Sequence, residues 1–399
     1  MKILLVIHGF PPYYMAGSEV YAYNLSIELA RNNMVYVFSR IENEFERQYS
    51  EIDEVIDGIR VHRVNKWKGD YNLRDKYVDE KMDDIFRSYI DKVNPDIVHI
   101  QHLSHLSTNI VSIAKNYGLP IVFTIHDFWM FCPRGQLLTP EYELCSLPDK
   151  ERCVSCLSYL HTTMDDINEY IKHMHDILDK IDIFVSPSKY LMSFYHSMGI
   201  DPRKTVYSRY GFIKGRIKYR KKIYREWDHI NFGYIGRIIP AKGIHLLIKA
   251  FSSINKENIT LKIYGTTGKN RYYLEKIAKN SNILFMEGFD NRNIDYILNS
   301  IDVLVVPSIW YENSPLVIQE AFMKGIPVIT SNIGGMAELV KDGINGFLFT
   351  PGDIESLKGK ILAIAQNPSI LNNVNPIPDD VQDIHEDVRH LENIYRRLL

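Results

Sequence analysis

Glu312 and Glu320 flank a predicted helix start that directly follows a buried strand, and they are the residues best placed for chemistry. Ser314 fits the N-cap of this helix, Pro315 its first residue, and Leu316 follows. Because a helix start offers unpaired N–H groups and a positive dipole end, it favours a phosphate. Glu320 is expected roughly 8 Å along the axis from the cap. The two carboxylates are interpreted as acceptors for sugar and ribose hydroxyls on either side of a diphosphate. Two surface glutamates remain the alternative.

Two cations form a second candidate site. Arg237 follows Gly236 at the end of a predicted strand, and Lys242 comes five residues later, before a helix. A planar guanidinium and a compact ammonium at one strand end suit a diphosphate. Taken alone, the pair also fits two ordinary surface cations.

Histidine and glycine mark the loops of the N-terminal half. His126 and Asp127 follow a predicted strand, and His102 follows the neighbouring one. A histidine at a strand end is either structural or a ligand-binding group. Gly17 and Ser18 precede a helix, where backbone N–H groups could meet a phosphate, although a turn with Ser18 as N-cap explains them equally.

The chain has four cysteines, and all lie within one 25-residue segment that ends in a Cys-x-x-Cys pair. In a reducing compartment disulfides are not expected, whereas four thiols can bind structural zinc. The alternative is a set of unrelated buried thiols. The candidate ligands are Cys132, Cys145, Cys153 and Cys156.

Short β-branched runs alternate with helical patterns in two series, which predicts two α/β domains, each a Rossmann-like, doubly wound parallel sheet. The predicted strands are 2–7, 34–38, 59–63, 96–101, 120–126 and 182–186, then 230–235, 260–264, 283–286, 302–307, 327–330 and 346–349. Ligands of such sheets bind beyond the carboxyl ends of the strands, so two sheets facing a central cleft are expected to bind substrates there.

The predicted domain boundaries lie where the alternation of strands and helices is interrupted. We expect an N-terminal domain over 1–207 with an inserted loop region at 127–170, a basic linker over 208–228 and a C-terminal domain over 229–375. The tail has a helical pattern after two prolines, and a helix over 380–399 is predicted to complete the N-terminal domain.

The composition and net charge of the chain limit the classes of partner that it is expected to bind. Hydrophobic residues make up 45% and charged residues 24%, as in a globular protein, and the net charge of −2 gives no reason to expect nucleic acid. No apolar run is long enough to cross a membrane. A cytoplasmic protein is therefore expected. The basic stretch from Lys214 to Arg225 is either a solvated face or a contact with anionic lipid at the inner face of a membrane.

Together these residues resemble retaining glycosyltransferase family 4, which has the GT-B fold. The shared features extend over nearly the whole chain: Gly17, His126-Asp127, Gly236-Arg237 with Lys242-Gly243, the E-x7-E element from Glu312 to Glu320, Asn332-Ile333-Gly334-Gly335 with Glu338, and Asp342-Gly343 with Asn345-Gly346. The first loop departs from the family in reading Ala16-Gly17, where many members have two glycines.

The resemblance implies a role for each matching residue. Arg237 and Lys242 would bind the diphosphate of a UDP- or GDP-hexose donor, and Glu312 the transferred sugar. Glu320 would bind the ribose, and His126 the donor sugar near its reacting carbon. Donor contacts are also implied for the segment Asn313, Ser314, Pro315 and Leu316, and for Gly17.

The resemblance further implies transfer with retained anomeric configuration to a glycan or lipid-linked acceptor, in synthesis of a cell-surface polysaccharide or glycoconjugate. The leaving diphosphate would take the acceptor's proton. No catalytic metal is expected, since the chain lacks an Asp-x-Asp motif, and cations with a helix dipole would stabilise the leaving group. A sugar-nucleotide epimerase and a non-catalytic sugar-nucleotide-binding protein are the alternatives.

Overall fold

The computed structural model describes residues 1–67, 72–146, 149–265, 271–278, 282–288 and 291–399. The chain forms two compact units. Unit 1 comprises residues 1–140, 145–212 and 383–399, and unit 2 comprises residues 141–144 and 213–382. The stretch predicted as a linker is divided between them, with 208–212 in unit 1 and 213–228 in unit 2.

Unit 1 contains an eight-stranded sheet with the order β3-β4-β2-β1-β5-β6-β7-β8. All neighbouring strands are parallel except the hairpin of β3 and β4. Within the described residues its strands are β1 (Lys2–Ile7), β2 (Met34–Ile41), β3 (Glu51–Ile56), β4 (Ile59–Asn65), β5 (Ile97–Ile100), β6 (Ile121–Thr124), β7 (Ile183–Ser186) and β8 (Thr205–Tyr207).

Helices connect these parallel strands, as right-handed crossovers require. The central strands β5 and β6 are buried along their whole length, which suits sequences that are apolar except for His99 and Thr124. The described helices of unit 1 are α1 (Gly17–Leu29), α2 (Glu80–Val93), α3 (Asn109–Asn116), α4 (Lys150–Cys156), α5 (Met164–Leu178), α6 (Lys189–Ser197) and α13 (Ile384–Leu398).

Unit 2 contains a six-stranded parallel sheet with the order β11-β10-β9-β12-β13-β14. Its described strands are β9 (Ile230–Ile235), β10 (Ile259–Tyr264), β11 (Ile283–Phe285), β12 (Val303–Val306), β13 (Val328–Ser331) and β14 (Gly346–Phe349). Its described helices are α7 (Ile244–Ser252), α8 (Arg271–Ile277), α9 (Ile294–Asn299), α10 (Leu316–Lys324), α11 (Met336–Leu339) and α12 (Ile354–Gln366).

Both sheets are doubly wound, because chain order reverses direction at one point in each. In unit 1 this switch lies between β1 and β5, and in unit 2 between β9 and β12. At a switch point the loops after two adjacent strands diverge to opposite faces and leave a crevice at the carboxyl edge. The predicted fold class, with two Rossmann-like domains, is confirmed.

The C-terminal helix α13 belongs to unit 1. Asp387 on this helix is fully buried and accepts hydrogen bonds from the Tyr21 hydroxyl (2.9 Å), the Ser208 hydroxyl (3.2 Å) and the Gly211 amide (2.9 Å). Burial raises the pKa of Asp387 to about 6, against the lowering effect of these donors. The contacts join the last helix to α1 and to the chain that follows β8.

Some elements differ from the prediction. The inserted region predicted to end at residue 170 ends earlier, since α5 begins at Met164. Thr163 caps this helix and forms a capping box with Asp166, and α5 is the crossover from β6 to β7. Strands β3 and β8 were not predicted: β3 is mostly exposed and polar, and β8 has only three residues.

Among the described residues, no helix combines the length and the apolar character that crossing a membrane requires.

Candidate functional site

The switch point of unit 2 brings Lys242 and Glu312 together. Lys242 ends a short 3-10 helix after β9, and Glu312 lies in the loop after β12. The Lys242 Nζ lies 2.5 Å from Glu312 Oε1. Because β9 and β12 are adjacent in the sheet, residues 70 positions apart meet at its carboxyl edge. The sequence predicted both residues as ligand-binding but did not predict that they would pair.

Within the described residues, every hydrogen bond to the Glu312 carboxylate reaches the same oxygen, Oε1. Besides Lys242, the Ser308 hydroxyl (2.6 Å) and Trp310 Nε1 (3.0 Å) donate to Oε1. Within the described part of the chain, no hydrogen bond engages Oε2. The residue is buried, with 6% exposure, and the three donors to Oε1 fix the orientation of the carboxylate.

Glycines at positions 334 and 335 support this loop. The Gly335 amide donates to the Glu312 carbonyl oxygen (2.8 Å), and a Cβ on Gly335 would lie 1.4 Å from the Asn313 carbonyl oxygen. Gly334 has a φ of +58° and also lies against the backbone of this loop. Only glycine permits such close approach of two backbones. The glycine pair therefore packs against the backbone of the Glu312 loop.

Helix α10 begins one residue later than predicted. Pro315, not Ser314, is the N-cap, and no side chain caps the helix. Ser314 instead accepts a hydrogen bond from Gln319 (3.0 Å), because its side chain is turned towards the buried face of the helix. Among the first-turn N–H groups of α10, that of Ile318 donates to the Pro315 carbonyl oxygen (3.2 Å), and the N-cap side chain accepts from none of them.

Glu320 is the fifth residue of α10 and is half-buried. Burial raises the pKa of its carboxyl to about 7, with an opposing contribution from the charge of Arg216. The group is therefore divided between its charged and neutral forms near neutral pH. Arg237, the other predicted diphosphate ligand, is exposed after β9, where the Tyr234 hydroxyl donates to its carbonyl oxygen (2.6 Å).

In unit 1, His126 lies just beyond β6 and is held at both ring nitrogens. Its Nε2 is 2.9 Å from Gln101 Oε1, and its Nδ1 is 2.5 Å from the Tyr210 hydroxyl. An amide oxygen can only accept, so Nε2 carries the proton and Nδ1 accepts. Burial lowers the pKa of His126 to about 3, which keeps the imidazole neutral.

Asp127 pairs with His102, which follows β5. The Ser104 amide donates to His102 Nδ1 (3.1 Å), so His102 Nε2 donates to Asp127 Oδ2 (3.1 Å). Burial alone would raise the pKa of Asp127, but the His102 ring and the Trp129 amide lower it below its usual value. Asp127 is thus a fixed, charged acceptor beside His126.

His8, directly after β1, completes this group. Its Nε2 is 3.3 Å from Glu19 of α1, and its ring centroid is 4.4 Å from that of His102. Burial tends to raise the pKa of Glu19, but the contacts with His8 lower it to about 2. Residues after three neighbouring strands, β1, β5 and β6, therefore form one polar cluster at the carboxyl edge of the sheet.

Gly17 is the first residue of α1, and Ala16 is the N-cap without a side-chain hydrogen bond. The interpretation of Ser18 as N-cap is wrong, since Ser18 lies inside the helix and donates to Glu19 (3.0 Å). Gly17 is exposed, which leaves its backbone accessible to a ligand.

Sequence reasoning missed several members of both clusters. Gln101 immediately follows β5, and Ser308 and Trp310 lie between β12 and Glu312, so position after a strand was the signal that could have found them. Tyr210 and Glu19 carried no such signal, because the first lies in the predicted linker and the second inside a helix.

The four cysteines all lie in unit 1, and no disulfide joins them. Burial, with smaller contributions from the neighbouring Cys132, Cys145 and Cys156, raises the pKa of the Cys153 thiol to about 12. As the structure stands, no three His, Cys, Asp or Glu side chains of the described residues enclose a position for a metal ion.

Two doubly wound sheets, each with a polar cluster at its switch point, define a two-domain α/β protein of the GT-B type. Family comparison agrees. Residues 15–208 match the model for Glycosyltransferase Family 4, and residues 216–376 match the model for glycosyl transferases group 1. The two matches together extend over most of the chain, which therefore belongs to the family 4, group 1 glycosyltransferases.

Known proteins resemble the chain at low identity. The Escherichia coli UDP-Gal:alpha-D-GlcNAc-diphosphoundecaprenol alpha-1,3-galactosyltransferase is 28% identical over 285 residues, which are 69% of this chain and 68% of that protein. Sucrose-phosphate synthase from Thermosynechococcus elongatus superposes with a TM-score of 0.72 at 17% identity, covering 100% of this chain and 98% of that one. Anabaena HepE, solved with UDP-glucose, gives 0.69 at 17%, covering 100% of both chains.

The close packing at Gly335 leads to a prediction. We expect Gly335→Ala to lower the melting temperature of unit 2 by roughly 4–8 °C, because the added methyl group would displace the Asn313 carbonyl at a cost of about 2 kcal/mol. Differential scanning calorimetry measures the change.

Gly359→Ala is the matched control. Nothing lies within 4 Å of a Cβ at Gly359, inside α12, so this variant should be unchanged or slightly more stable. Equal melting temperatures for Gly335→Ala and the wild type would contradict the assigned packing of the Glu312 loop.

Proposed function

We propose that this glycosyltransferase moves a hexose from a UDP- or GDP-sugar to a glycan or lipid-linked acceptor, with retention of anomeric configuration. The observation that carries the proposal is the pairing of Lys242 with one oxygen of Glu312 beside the uncapped start of α10. This arrangement offers a cation, a hydroxyl acceptor and free helix amides within one switch point, which suits a sugar joined to a diphosphate.

Each part of the nucleotide-sugar donor has a proposed partner in unit 2. The Lys242 ammonium has three N–H donors and uses one on Glu312, so the others are directed to phosphate oxygens, assisted by Arg237. Glu312 Oε2 accepts from a hydroxyl of the transferred sugar. The start of α10, at Pro315 and Leu316, seats a phosphate, and Glu320 accepts from the ribose.

The relatives support the choice of substrate class. The E. coli relative is named for UDP-Gal as donor and for a sugar on diphosphoundecaprenol as acceptor, and HepE has been solved with UDP-glucose. From these relatives we infer only the class of substrate for this protein. The donor is a nucleotide hexose, and the acceptor is a glycan or lipid-linked molecule used in polysaccharide synthesis. We assign the acceptor to unit 1, whose Asp127–His102 pair offers a fixed hydroxyl acceptor.

In the proposed reaction the bond between the sugar C1 and the diphosphate oxygen breaks, and the acceptor oxygen bonds to C1 on the same face. The acceptor's proton passes to the departing diphosphate oxygen. Lys242, Arg237 and the dipole of α10 stabilise the charge that develops on this leaving group. His126, neutral and fixed by Gln101 and Tyr210, is proposed to contact the transferred sugar.

Turnover tests this proposal. The protein is incubated with UDP-glucose, UDP-galactose and GDP-mannose, with and without a membrane lipid extract as acceptor, and released nucleotide is measured. We expect acceptor-dependent release of UDP or GDP. In Lys242→Ala we expect kcat/KM to fall about 100-fold to 1,000-fold, because a preorganised charge on the leaving group is lost.

Glu312→Gln should show a comparable loss, whereas Glu355→Gln, an exposed change in the same unit, should keep wild-type rates. Interconversion of nucleotide sugars without acceptor would indicate an epimerase, and binding without turnover would indicate a non-catalytic protein. Proton NMR of the product reports the anomeric configuration, and an inverted product would overturn retention.

The raised pKa of Glu320 predicts a pH dependence of donor binding. Two ribose hydroxyls both donate to a carboxylate, whereas a protonated carboxyl offers fewer acceptors, so the charged form binds better. Because the pKa in the free protein is about 7, affinity should weaken as pH falls below 7, by up to tenfold per pH unit. Isothermal titration calorimetry with the nucleotide sugar that binds most tightly measures this affinity. The range of about pH 5.5 to 8 extends to both sides of the pKa.

Glu320→Gln provides the control, since a neutral amide cannot titrate. Its affinity should be lower than that of the wild type at pH 8 and nearly constant across the range. A wild-type affinity that rises as pH falls would contradict the proposed ribose contact.

We also propose that the basic segment of unit 2 contacts anionic lipid. Arg220 and Lys222 of this segment have structural partners: Arg220 donates to two backbone carbonyls, and Lys222 pairs with Asp302 (2.6 Å). Exposed cations of the segment lie near two largely exposed apolar side chains, Ile223 at 75% within it and Trp227 at 74% two residues beyond its end. Interfacial tryptophan beside lysine and arginine suits a membrane surface.

Flotation with vesicles of phosphatidylcholine and phosphatidylglycerol tests this contact. We expect Trp227→Ala and Lys221→Ala to reduce the bound fraction several-fold, since each cation near such a surface contributes about 1 kcal/mol. Lys256→Ala, an exposed cation of unit 2 outside the segment, should bind as the wild type does. Equal binding by all variants, or none by the wild type, would contradict the contact.

A further inference from the structure

Helix α13 presents one buried carboxylate to the segment 208–211, which follows β8 at the end of this part of unit 1. Asp387 Oδ2 accepts from the Gly211 amide (2.9 Å), and Oδ1 accepts from the Ser208 hydroxyl (3.2 Å). The residue is fully buried, so these hydrogen bonds lie in a medium of low dielectric that strengthens them. The segment is therefore fixed to the helix at two points.

Gly211 allows the segment to pack directly on the helix backbone. A Cβ at this position would lie 2.7 Å from the Ile384 Cα and 2.7 Å from the Asp387 Cβ. The Ile384 amide also donates to the Phe212 carbonyl oxygen (3.0 Å). Because only glycine permits this approach, contacts with α13 set the course of the chain on both sides of Gly211.

Tyr210, the residue before Gly211, carries this constraint to His126. Its hydroxyl lies 2.5 Å from His126 Nδ1, and the two rings are stacked with their centroids 5.5 Å apart. Tyr21 of α1 packs on both, with centroids 4.3 Å from Tyr210 and 5.9 Å from His126, and its hydroxyl donates to Asp387 Oδ2 (2.9 Å). Two routes thus lead from Asp387 to the imidazole. One passes through the backbone of Gly211 and Tyr210, and the other through the side chain of Tyr21.

We propose that Asp387 is a positioning residue for His126. By fixing the segment that carries Tyr210, it keeps a hydroxyl donor on Nδ1 of the imidazole. Since Gln101 accepts from Nε2, the ring then has one tautomer and one orientation. The consequence for turnover rests on the proposed function, in which His126 contacts the transferred sugar, whereas the state of the imidazole is measurable in the protein alone.

The role of Asp387 requires acceptor oxygens in a fixed place and not a negative charge. Its three donors are neutral groups: two hydroxyls and one backbone amide. The oxygen of an asparagine at this position can accept from both Tyr21 and Gly211, which share one oxygen of Asp387, while its NH₂ group donates to the Ser208 hydroxyl. Asp387→Asn should therefore preserve an arrangement that Asp387→Ala removes.

NMR of the imidazole nitrogens in the full-length protein tests the proposal without a ligand. A long-range ¹H–¹⁵N spectrum shows which ring nitrogen carries the proton and whether the other accepts a hydrogen bond, and the spectrum of His126→Gln assigns the signals. We expect Tyr210→Phe, which lacks the hydroxyl, to shift the Nδ1 resonance of His126, and Asp387→Ala to shift it in the same direction. Asp387→Asn should give the wild-type resonance.

Val388→Ala is the matched control, because it is a change of a buried apolar residue at the next position of α13 and should leave the resonance unchanged. Tyr21→Phe retains the ring and loses only the donor to Asp387, so it should cause a smaller shift in the same direction. This variant keeps the proposal testable if Asp387→Ala fails to fold.

Turnover measures the effect of this positioning on transfer. The donor is whichever of UDP-glucose, UDP-galactose and GDP-mannose is turned over, with a membrane lipid extract as acceptor. We expect Asp387→Ala to lower kcat about tenfold to 100-fold with KM for the donor nearly unchanged, because a misplaced group affects chiefly the transition state. Asp387→Asn and Val388→Ala should keep the wild-type kcat.

Four results would overturn the proposal: an unchanged Nδ1 resonance in Asp387→Ala, the same shift in Val388→Ala, equal losses in Asp387→Asn and Asp387→Ala, or a shifted resonance with an unchanged kcat. A wild-type protein that turns over none of the three donors would contradict the proposed function instead. In that case the resonance of His126 would still decide whether Asp387 positions it.

Discussion

The ion pair between Lys242 and Glu312 is the interaction on which the site of unit 2 depends. It exists because the order of the sheet places β9 beside β12, so the loops that follow these strands start at neighbouring points of one edge. The pair holds a cation and a carboxylate in place before any ligand binds. With Ser308 and Trp310 donating to the same carboxylate oxygen, three donors converge on one side of Glu312.

In unit 1, too, the order of the strands brings residues together at the carboxyl edge of the sheet, but these residues are chemically different. Its switch point lies between β1 and β5, and the residues that follow β1, β5 and β6 form a cluster of histidine and carboxylate groups. Burial keeps His126 neutral, whereas Asp127 stays charged because His102 donates to it. At neutral pH a neutral His126 thus lies beside a charged Asp127, and hydrogen bonds fix which ring nitrogen of His126 and of His102 carries the proton. Such fixed donors and acceptors suit a ligand rich in hydroxyl groups.

Glycine and helix geometry decide how closely the parts of the candidate site in unit 2 approach one another. The backbone of the Glu312 loop lies against Gly335, where any side chain would collide with a carbonyl oxygen. The same loop leads into α10, whose start carries no side-chain cap. The loop that carries Glu312 therefore connects the packed glycine pair to the helix that carries Glu320.

The sequence by itself determined the alternation of strands and helices, the two parallel sheets and the positions after strands at which ligand groups lie. These features are local, since apolar runs, caps and glycines act within a few residues. The tertiary structure decided which of those residues meet. The pairing of Lys242 with Glu312, and the contacts of Gln101 and Tyr210 with His126, depend on strand order, which no local pattern encodes. Tyr210 and Asp387 show this most clearly, because their partners come from distant parts of the chain and their burial follows only from packing.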